Sequence, residues 1–311
     1  MKYHNLFQSM FMLFAMTVLL ATIGFILAGR EGLLIAAFVA ATFMMFGRSQ
    51  STKWMLHAIG AVKLRPDQAP VLHEILAELS RRAGIERAPT LHLVEASTML
   101  GFSTGTSSHD ASIVLSSSLV QRLNAREIAS VMAHEISHIA SGDLAVMAMA
   151  DTLTRMTRTL SLLGLFFLIF NVPMAATVGA QVPWGVVILL ASAPLISYVM
   201  QMTLSRLREF EADEGAIGLS GDPEGLIGAL EKLEIQNTGF LRHAYVPSHP
   251  ETEPSLLRSH PMTVERVRRI AELEPGVEPL PSTLIGTQHG YPGSQDYGLG
   301  VPIRWLLRWW R

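Results

Sequence analysis

The longest uncharged stretch of the chain constrains its fold more than any other feature of the sequence. Residues 159–205 contain no Asp, Glu, Lys or Arg. Crossing a membrane takes about 20 apolar residues, so the stretch suits two membrane-crossing helices. Pro173, Gly179 and Pro183 predict a turn between them. A buried hairpin in a soluble core is the alternative, but soluble core helices seldom run this far without a charge.

A second uncharged stretch, residues 5–29, is followed at once by the apolar run 33–46. A cleaved signal peptide would need a small-residue cleavage site with a polar sequel, which is missing here, so a second helical hairpin is favoured. The composition, 49% hydrophobic and 16% charged, agrees with a multi-pass protein. We therefore predict four transmembrane helices.

The positions of the basic residues predict the orientation. The flanks of the predicted spans hold Lys2, Arg48, Lys53, Lys63, Arg65, Arg155, Arg158, Arg206 and Arg208, whereas the two connecting loops hold only Arg30. Because cytoplasmic flanks carry an excess of Lys and Arg, both termini and the segments 48–158 and 206–311 are predicted to be cytoplasmic. The expected location is a bacterial-type inner (plasma) membrane.

Composition excludes several classes of function. The chain has 24 Lys and Arg against 26 Asp and Glu, so an overall basic nucleic-acid binder is excluded, and its apolar content excludes intrinsic disorder. It has no Cys, which excludes disulfides, cysteine-ligated zinc and a cysteine nucleophile. Metal chemistry would have to use some of the 11 His together with carboxylates.

The segment between the two hairpins has the pattern of a small α+β domain. Residues 70–84 begin with Pro and end with Gly around apolar residues at helical spacing, which predicts a helix. Short runs at 90–96 and 112–116 predict two strands of a small sheet. A capping box at 124–127 opens a second helix that runs to Ala140, with Gly142 as its stop.

That second helix contains the sequence His134-Glu135-Ile136-Ser137-His138. Two His four residues apart lie on one helix face and can reach a single ion, with the carboxylate of Glu135 beside them. This is the zincin spacing. A pair of surface His on a helix is the alternative, and the proper cap and apolar flanks argue against it.

Catalytic zinc needs three protein ligands and an open position, and no third His follows at the usual spacing. A carboxylate is therefore favoured, from the cluster Glu209, Glu211, Asp213 and Glu214 just after the fourth predicted span. Glu209 and Asp213 share a helix face, and Glu211 points the opposite way. This reasoning leaves either Glu209 or Asp213 as the ligand, with a solvated acidic face as the alternative.

Three segments, together with the four predicted spans, resemble the membrane gluzincin metalloproteases that include the heat-shock protease HtpX. They are residues 127–143, residues 205–213, and residues 221–223 with 229–233. The resemblance covers about residues 5–272 and implies that Glu209 is the third zinc ligand, with Asp213 orienting the site. It also implies that the chain degrades damaged or misassembled membrane proteins.

Two further positions are interpreted through this resemblance. Ser259-His260-Pro261, followed by Glu265 and Arg266, looks like the family's C-terminal His-Pro motif, which implies that His260 steadies the oxyanion of the reaction. The same tripeptide at 248–250 lacks the following Glu-Arg, so His260 is preferred, and a packing or capping His is the alternative. Where the family carries Asn, this chain has Leu100, which places turnover and specificity in question more than zinc binding.

The fold class expected is a mainly α membrane protein with four transmembrane helices and a cytoplasmic zincin-type α+β metalloprotease domain carrying a small β-sheet. Its parts are a transmembrane hairpin at 1–47, a protease region at 48–158, a second transmembrane hairpin at 159–205, a protease region at 206–274 with the third ligand, and a flexible Pro- and Gly-rich tail at 275–311. The tail ends in alternating Trp and Arg, which suits a membrane interface.

The expected activity is that of a zinc endopeptidase with one Zn²⁺ per chain. Zinc lowers the pKa of a water that it binds, and Glu135 would act as the general base. Unfolded or membrane-protein substrates and the lipid bilayer are the expected partners, and nucleic acid is not. An extended substrate would add to the sheet edge near 112–116. A prenyl-protein-type endoprotease and a catalytically impaired zinc-binding membrane scaffold are the alternatives.

Overall fold

The computed structural model describes residues 2–105, 107–177, 183–244 and 263–285. These fall into two compact units. The described part of the first, here called the helical unit, is residues 2–48, 145–177 and 183–207. The second, here called the mixed unit, has residues 49–105, 107–144, 208–244 and 263–285. His260 and residues 286–311, including the Trp- and Arg-rich end, lie outside the described residues.

Helices make up most of the described chain, and four short strands form one sheet. The elements are α1 (Lys2–Ala58), β1 (Val62–Lys63), α2 (Pro70–Arg82), β2 (Thr90–Val94), β3 (Gly101–Thr104), β4 (Ser112–Ser116), α3 (Ser117–Arg122), α4 (Ala125–Ala140), α5 (Asp143–Thr177), α6 (Trp184–Ser220), α7 (Pro223–Ala244), α8 (Thr263–Ala271) and α9 (Ser282–Ile285). The predicted helices at 70–84 and 124–140 are confirmed as α2 and α4.

Three of the described helices are long and apolar enough to cross a membrane. Their candidate spans are Phe7–Thr42, Asp143–Asn171 and Trp184–Ser220. The first contains a break at Ala28 and Gly29, where Gly29 has φ of 59° and ψ of −138°. That φ lies in the left-handed region, which glycine adopts without strain. The spans agree with an integral membrane protein.

After this break α1 turns back along itself. A Cβ atom placed on Gly24 would lie 2.8 Å from the carbonyl oxygen of Gly32 and 3.2 Å from the Cβ of Ala36. Residues 12 apart in one straight helix would be about 18 Å apart along its axis. The two arms of α1 therefore pack against each other, and the close backbone approach explains why both positions 24 and 32 are Gly.

Apolar side chains both fill and cover the helical unit. Inside it, Met16 and Leu20 of α1 pack with Leu153 of α5 and Leu204 of α6. On its outside many large apolar side chains are exposed, including Phe7, Phe14, Leu34, Phe38, Phe166, Phe167, Phe170 and Ile188. Helices that are apolar on every side are typical of a bundle surrounded by lipid.

The sheet of the mixed unit has the strand order β1-β2-β4-β3. β2 and β4 are parallel, with Leu91 opposite Ile113, and the other two pairs are antiparallel. All five residues of β4 are buried, because β4 is paired on both sides. The expectation that an extended substrate adds to a sheet edge near 112–116 is therefore wrong. The edge strands are β1 and β3, and neither has the alternation of apolar and polar residues that predicts a strand from sequence.

Helix α4 lies at the centre of the mixed unit. Its capping box is confirmed, with the Glu127 N–H donating to Asn124 Oδ1 at 2.8 Å and the Asn124 N–H donating to Glu127 Oε2 at 2.8 Å. Met132 and Ile136 of α4 are fully buried in a core shared with the sheet and α2. The metal-binding motif is therefore held on a rigid, well-packed helix.

Residues 275–285, which the composition predicts to be part of a flexible tail, pack on the mixed unit. Leu280 is buried and its N–H donates to the carbonyl of Ser220 at 3.2 Å. Arg82 donates to the carbonyls of Leu219 at 2.9 Å and Glu278 at 2.8 Å. Leu280, the partly buried Leu284 and Ile285, and hydrogen bonds to backbone carbonyls hold this segment. So few contacts do not change the Pro- and Gly-rich composition from which a flexible tail was predicted.

Candidate metal centre

Two helices bring three metal-binding side chains together in the mixed unit. His134 and His138 come from α4, and Glu209 comes from α6. The two Nε2 atoms are 3.1 Å apart, and each lies 3.7 Å from an oxygen of Glu209. His134 and Glu209 are buried, and His138 is partly buried. The structure thus brings Glu209, rather than Asp213, to the two Nε2 atoms, while Asp213 lies on the Nδ1 side of His134.

The spacing and chemistry of these donors fit zinc. A tetrahedral ion with ligands at about 2.0–2.1 Å places any two ligand atoms about 3.3 Å apart, close to the 3.1 Å between the two Nε2 atoms. Glu209 presents Oε2 to His134 and Oε1 to His138, each at 3.7 Å, and one ligand atom from each of the three residues lies within 4.8 Å of the others. Two imidazoles and one carboxylate form a common ligand set of catalytic zinc. They also leave the fourth position for a water or a substrate.

Asp213 lies beside the first imidazole. Its Oδ1 is 3.0 Å from His134 Nδ1, without the geometry of a hydrogen bond. Asp213 also forms a two-point ion pair with Arg266 of α8, with distances of 2.7 and 2.6 Å. Arg266 further lies 3.2 Å from Glu209 Oε2. Burial, the largest single effect, would lower the pKa of Arg266, but the hydrogen bonds to Asp213 and the negative charges of Asp213, Glu209 and Glu135 together outweigh it and raise that pKa above its ordinary value.

Asp143 orients the second imidazole, a contact that sequence reasoning missed. Its Oδ2 lies 2.7 Å from His138 Nδ1, and its other oxygen accepts from Arg208. The sequence suggested only that Asp143 caps the next helix. The sequence did contain a signal for this contact, namely a carboxylate five residues after the second His and at the start of the next helix. A tight turn at Gly142 brings that carboxylate back toward α4.

Glu211 serves the site in another way. It forms an ion pair with Arg208 three residues earlier on α6. The helix phase that excluded Glu211 as a ligand therefore agrees with where its side chain lies. Its charge is matched by the guanidinium that also holds Asp143.

The charge of the site favours a cation. Glu135 is 6% exposed and lies next to His134 on α4. The carboxylates of the site are those of Glu135, Asp143, Glu209, Glu211 and Asp213, and the guanidinium groups are those of Arg208 and Arg266. Five negative and two positive charges leave a formal charge of −3 with neutral His. Concentrated in a region of low water access, that excess is stabilised by a divalent ion.

Leu100 precedes the edge strand β3, and its backbone is held on both sides. Its N–H donates to Ser116 Oγ at 2.9 Å, and its carbonyl accepts from the Ser116 N–H at 2.8 Å. The side chain is 42% exposed. An apolar side chain thus stands partly in solvent at the position where the resemblance leads one to expect Asn.

Comparison with known proteins agrees with this site. Residues 66–274 match the sequence profile of peptidase family M48. A "Protease HtpX homolog" from Sulfurihydrogenibium sp. is 32% identical over 298 residues, covering 88% of this chain and 98% of the relative. A second, from Methylibium petroleiphilum, is 30% identical over 284 residues, covering 87% and 98%.

The fold also resembles a solved structure. The crystal structure of S. mikatae Ste24p matches with a TM-score of 0.54 and 20% identity, covering 86% of this chain. The matched region is 66% of the length of that protein. At this identity the likeness concerns the fold, including its helical and mixed parts.

Proposed function

The chain belongs to peptidase family M48 and is an HtpX-like membrane metalloprotease, and we propose that it is a zinc endopeptidase that cuts damaged or misassembled membrane proteins at the cytoplasmic face. The observation that carries the proposal is the convergence of His134, His138 and Glu209 beside the buried carboxylate of Glu135. A structural zinc site would be closed by a fourth protein ligand, and the described residues supply three.

One Zn²⁺ would be held by His134 and His138 through Nε2 and by Glu209 through a carboxylate oxygen. When bound, the ion lowers the pKa of a water toward neutrality and polarises a substrate carbonyl. The hydrogen bond of Asp143 to His138 Nδ1 keeps the Nε2 lone pair of that ring available, and Asp213 would do the same for His134, whose Nδ1 it faces at 3.0 Å. Arg266 faces one oxygen of Glu209 and so restricts the rotation of that carboxylate.

Glu135 is the proposed general base. It follows His134 directly on α4, is buried, and its charge acts on Arg266, which itself lies 3.2 Å from Glu209 Oε2. In this role it takes a proton from the attacking water and later gives it to the amine of the departing peptide. His260 is the proposed partner of the oxyanion.

The proposed substrates are unfolded or membrane-proximal segments of proteins. Backbone hydrogen bonds to an edge strand would bind extended peptide with little demand on its sequence, and β3 is the four-residue edge of this sheet. Leu100 at the start of β3 would favour apolar contacts over a polar contact to substrate. The HtpX homologues named above motivate the role in quality control.

The proposed topology has four spans with both termini cytoplasmic. Its support is the turn at Ala28 and Gly29, which divides the first candidate span into two arms, together with the distribution of Lys and Arg. The ligands lie on or next to helices that continue into candidate spans, since α5 begins at Asp143 and α6 contains Glu209.

Cleavage of unfolded casein by the detergent-purified chain tests the proposed activity. We expect wild-type protein to cleave casein, a chelator to stop it, and added zinc to restore it. Glu135→Gln should keep its zinc and lose activity by a factor of about 10² or more. Glu214→Gln, which changes an exposed carboxylate on α6, is the matched control and should keep full activity. Near wild-type cleavage by Glu135→Gln would remove the proposed mechanism.

A further inference from the structure

Arg208 connects two parts of the chain that are distant in sequence. It precedes the proposed ligand Glu209 on α6 and is 5% exposed. Its guanidinium donates to Oδ1 of Asp143, 65 residues earlier, and forms an ion pair with Glu211 on its own helix. One planar cation thus bridges two carboxylates inside the mixed unit.

The carboxylate that Arg208 holds is the one that contacts the metal-binding imidazole. Asp143 is 2% exposed, and its second oxygen lies 2.7 Å from His138 Nδ1. An Nδ1–H that donates to a carboxylate leaves the lone pair on Nε2, which is the atom facing Glu209. The contacts therefore run in one line from Arg208 through Asp143 to His138.

Both oxygens of Asp143 are engaged. Oδ1 accepts from Arg208, and Oδ2 lies 2.7 Å from His138 Nδ1. Because the guanidinium fixes one oxygen, it limits rotation of the carboxylate and keeps the other oxygen on His138. Glu211 fixes the guanidinium from its second side.

We propose that Arg208 is a positioning residue of the metal centre, which sets the tautomer and the ring angle of His138 by holding Asp143. The proposal rests on the metal-binding role given to His138 above. Arg208 and the ligand Glu209 are consecutive on one helix, so the position of Glu209 and the position of the His138 ring are fixed by the same short segment. Arg208 would thereby connect the segments that supply two of the three ligands, His138 and Glu209.

The chain offers a matched control for this arrangement. Arg126 at the start of α4 also bridges two carboxylates, those of Asp222 and Glu224, and also within the mixed unit. None of these three residues contacts the metal-binding side chains in the contacts described above. Arg126→Met removes the same chemical group from a more exposed bridge, so it controls for the loss of an arginine bridge away from the metal site.

The experiment measures zinc affinity by competition with a chromophoric chelator in the detergent-purified full chain. Arg208→Met should bind zinc about 10–100-fold more weakly, which is the range found when a residue that supports a metal ligand is removed. Arg208→Lys keeps one charge contact and should give an intermediate affinity. Arg126→Met should bind zinc within about twofold of wild type.

Two further readouts separate positioning from general stability. At saturating zinc, Arg208→Met should lower kcat and leave KM unchanged, because the partners of Arg208 are Asp143 and Glu211 and its effect reaches the reaction only through the His138 ring. Asp143→Asn should also lower the zinc affinity. In the double variant Asp143→Asn with Arg208→Met, the zinc affinity should lie within about twofold of that of the weaker single variant, since both changes act through one contact.

Different failures identify different errors. If His138→Ala loses zinc while Arg208→Met binds it as tightly as Arg126→Met does, the role of Arg208 is overturned and the metal site stands. If the losses in the double variant add, Arg208 acts by a route other than Asp143 and the proposal is overturned. If His138→Ala keeps full zinc affinity, the metal site itself is overturned.

Discussion

Replacing Gly215 with alanine tests how closely the two metal-binding helices must approach. Gly215 on α6 faces Ser137 on α4, which lies between the two metal-binding His. A Cβ at position 215 would overlap Ser137 Oγ. Rotating that hydroxyl away would still leave the new Cβ 3.0 Å from Ser137 Cβ. Relaxed carbon contacts are about 3.5–4.0 Å, so the helices would have to separate by about 0.5–1 Å.

The expected magnitude follows from two opposing effects. Overpacking of this kind costs about 1–3 kcal/mol, while replacing Gly by Ala within a helix gains up to about 1 kcal/mol. Gly218 on the same helix has nothing within 4 Å of a new Cβ, so Gly218→Ala should show the gain alone. The two variants should differ by about 1–3 kcal/mol. At about 2–4 °C of melting temperature per kcal/mol, a thermal melt in detergent resolves this difference.

The metal site should respond in parallel. A site must be held within about 0.5 Å of its working geometry, so Gly215→Ala should bind zinc more weakly and Gly218→Ala should not. The double variant Ser137→Gly with Gly215→Ala lacks both close contacts. Its zinc affinity should therefore equal that of the single variant Ser137→Gly. If Gly215→Ala matches Gly218→Ala in melting temperature and zinc affinity, the inferred helix contact is refuted.

Three other predictions concern ion pairs and topology. The hydrogen bonds from Arg81 and Arg82 lower the pKa of Glu78 from 4.5 to about 2, so Glu78 stabilises the fold above pH 4.5 and loses that effect as the pH falls toward 2. Melting temperatures of wild type and Glu78→Gln should therefore differ at pH 7 and converge near pH 2; a constant difference would contradict this. Asp213→Ala leaves Arg266 buried without its main partner and should cost about 3–5 kcal/mol of unfolding free energy, whereas an unchanged melt would contradict the buried pair. Reporter fusions after residues 31 and 178 should give periplasmic signals and those after 110 and 255 cytoplasmic ones; a periplasmic signal at 110 would invert the topology.

Local signals in the sequence predicted the parts of the site that depend on helix geometry. The capping box set the start of α4, the spacing of His134 and His138 placed both on one face, and the phase of α6 excluded Glu211 as a ligand. Each of these needs only neighbouring residues. The membrane helices were equally readable, because a long run without charge has few other solutions.

The rest of the site depends on contacts between distant residues. Arg208 meets Asp143 across 65 positions, and Arg266 meets Asp213 across 53. No periodicity links such pairs, so single-sequence reasoning read Asp143 only as a helix cap. The prediction that residues 112–116 form a sheet edge was wrong for the same reason: a short apolar strand has the same pattern at the edge and at the centre of a sheet, and pairing placed β4 between β2 and β3.

The zinc content of three detergent-purified proteins tests the central claim most directly. Wild type and Glu214→Gln should each contain one zinc per chain after dialysis, because Glu214 is an exposed carboxylate on α6. Glu209→Gln should contain almost none, because it loses the third ligand. Full zinc in Glu209→Gln would contradict the assigned metal centre.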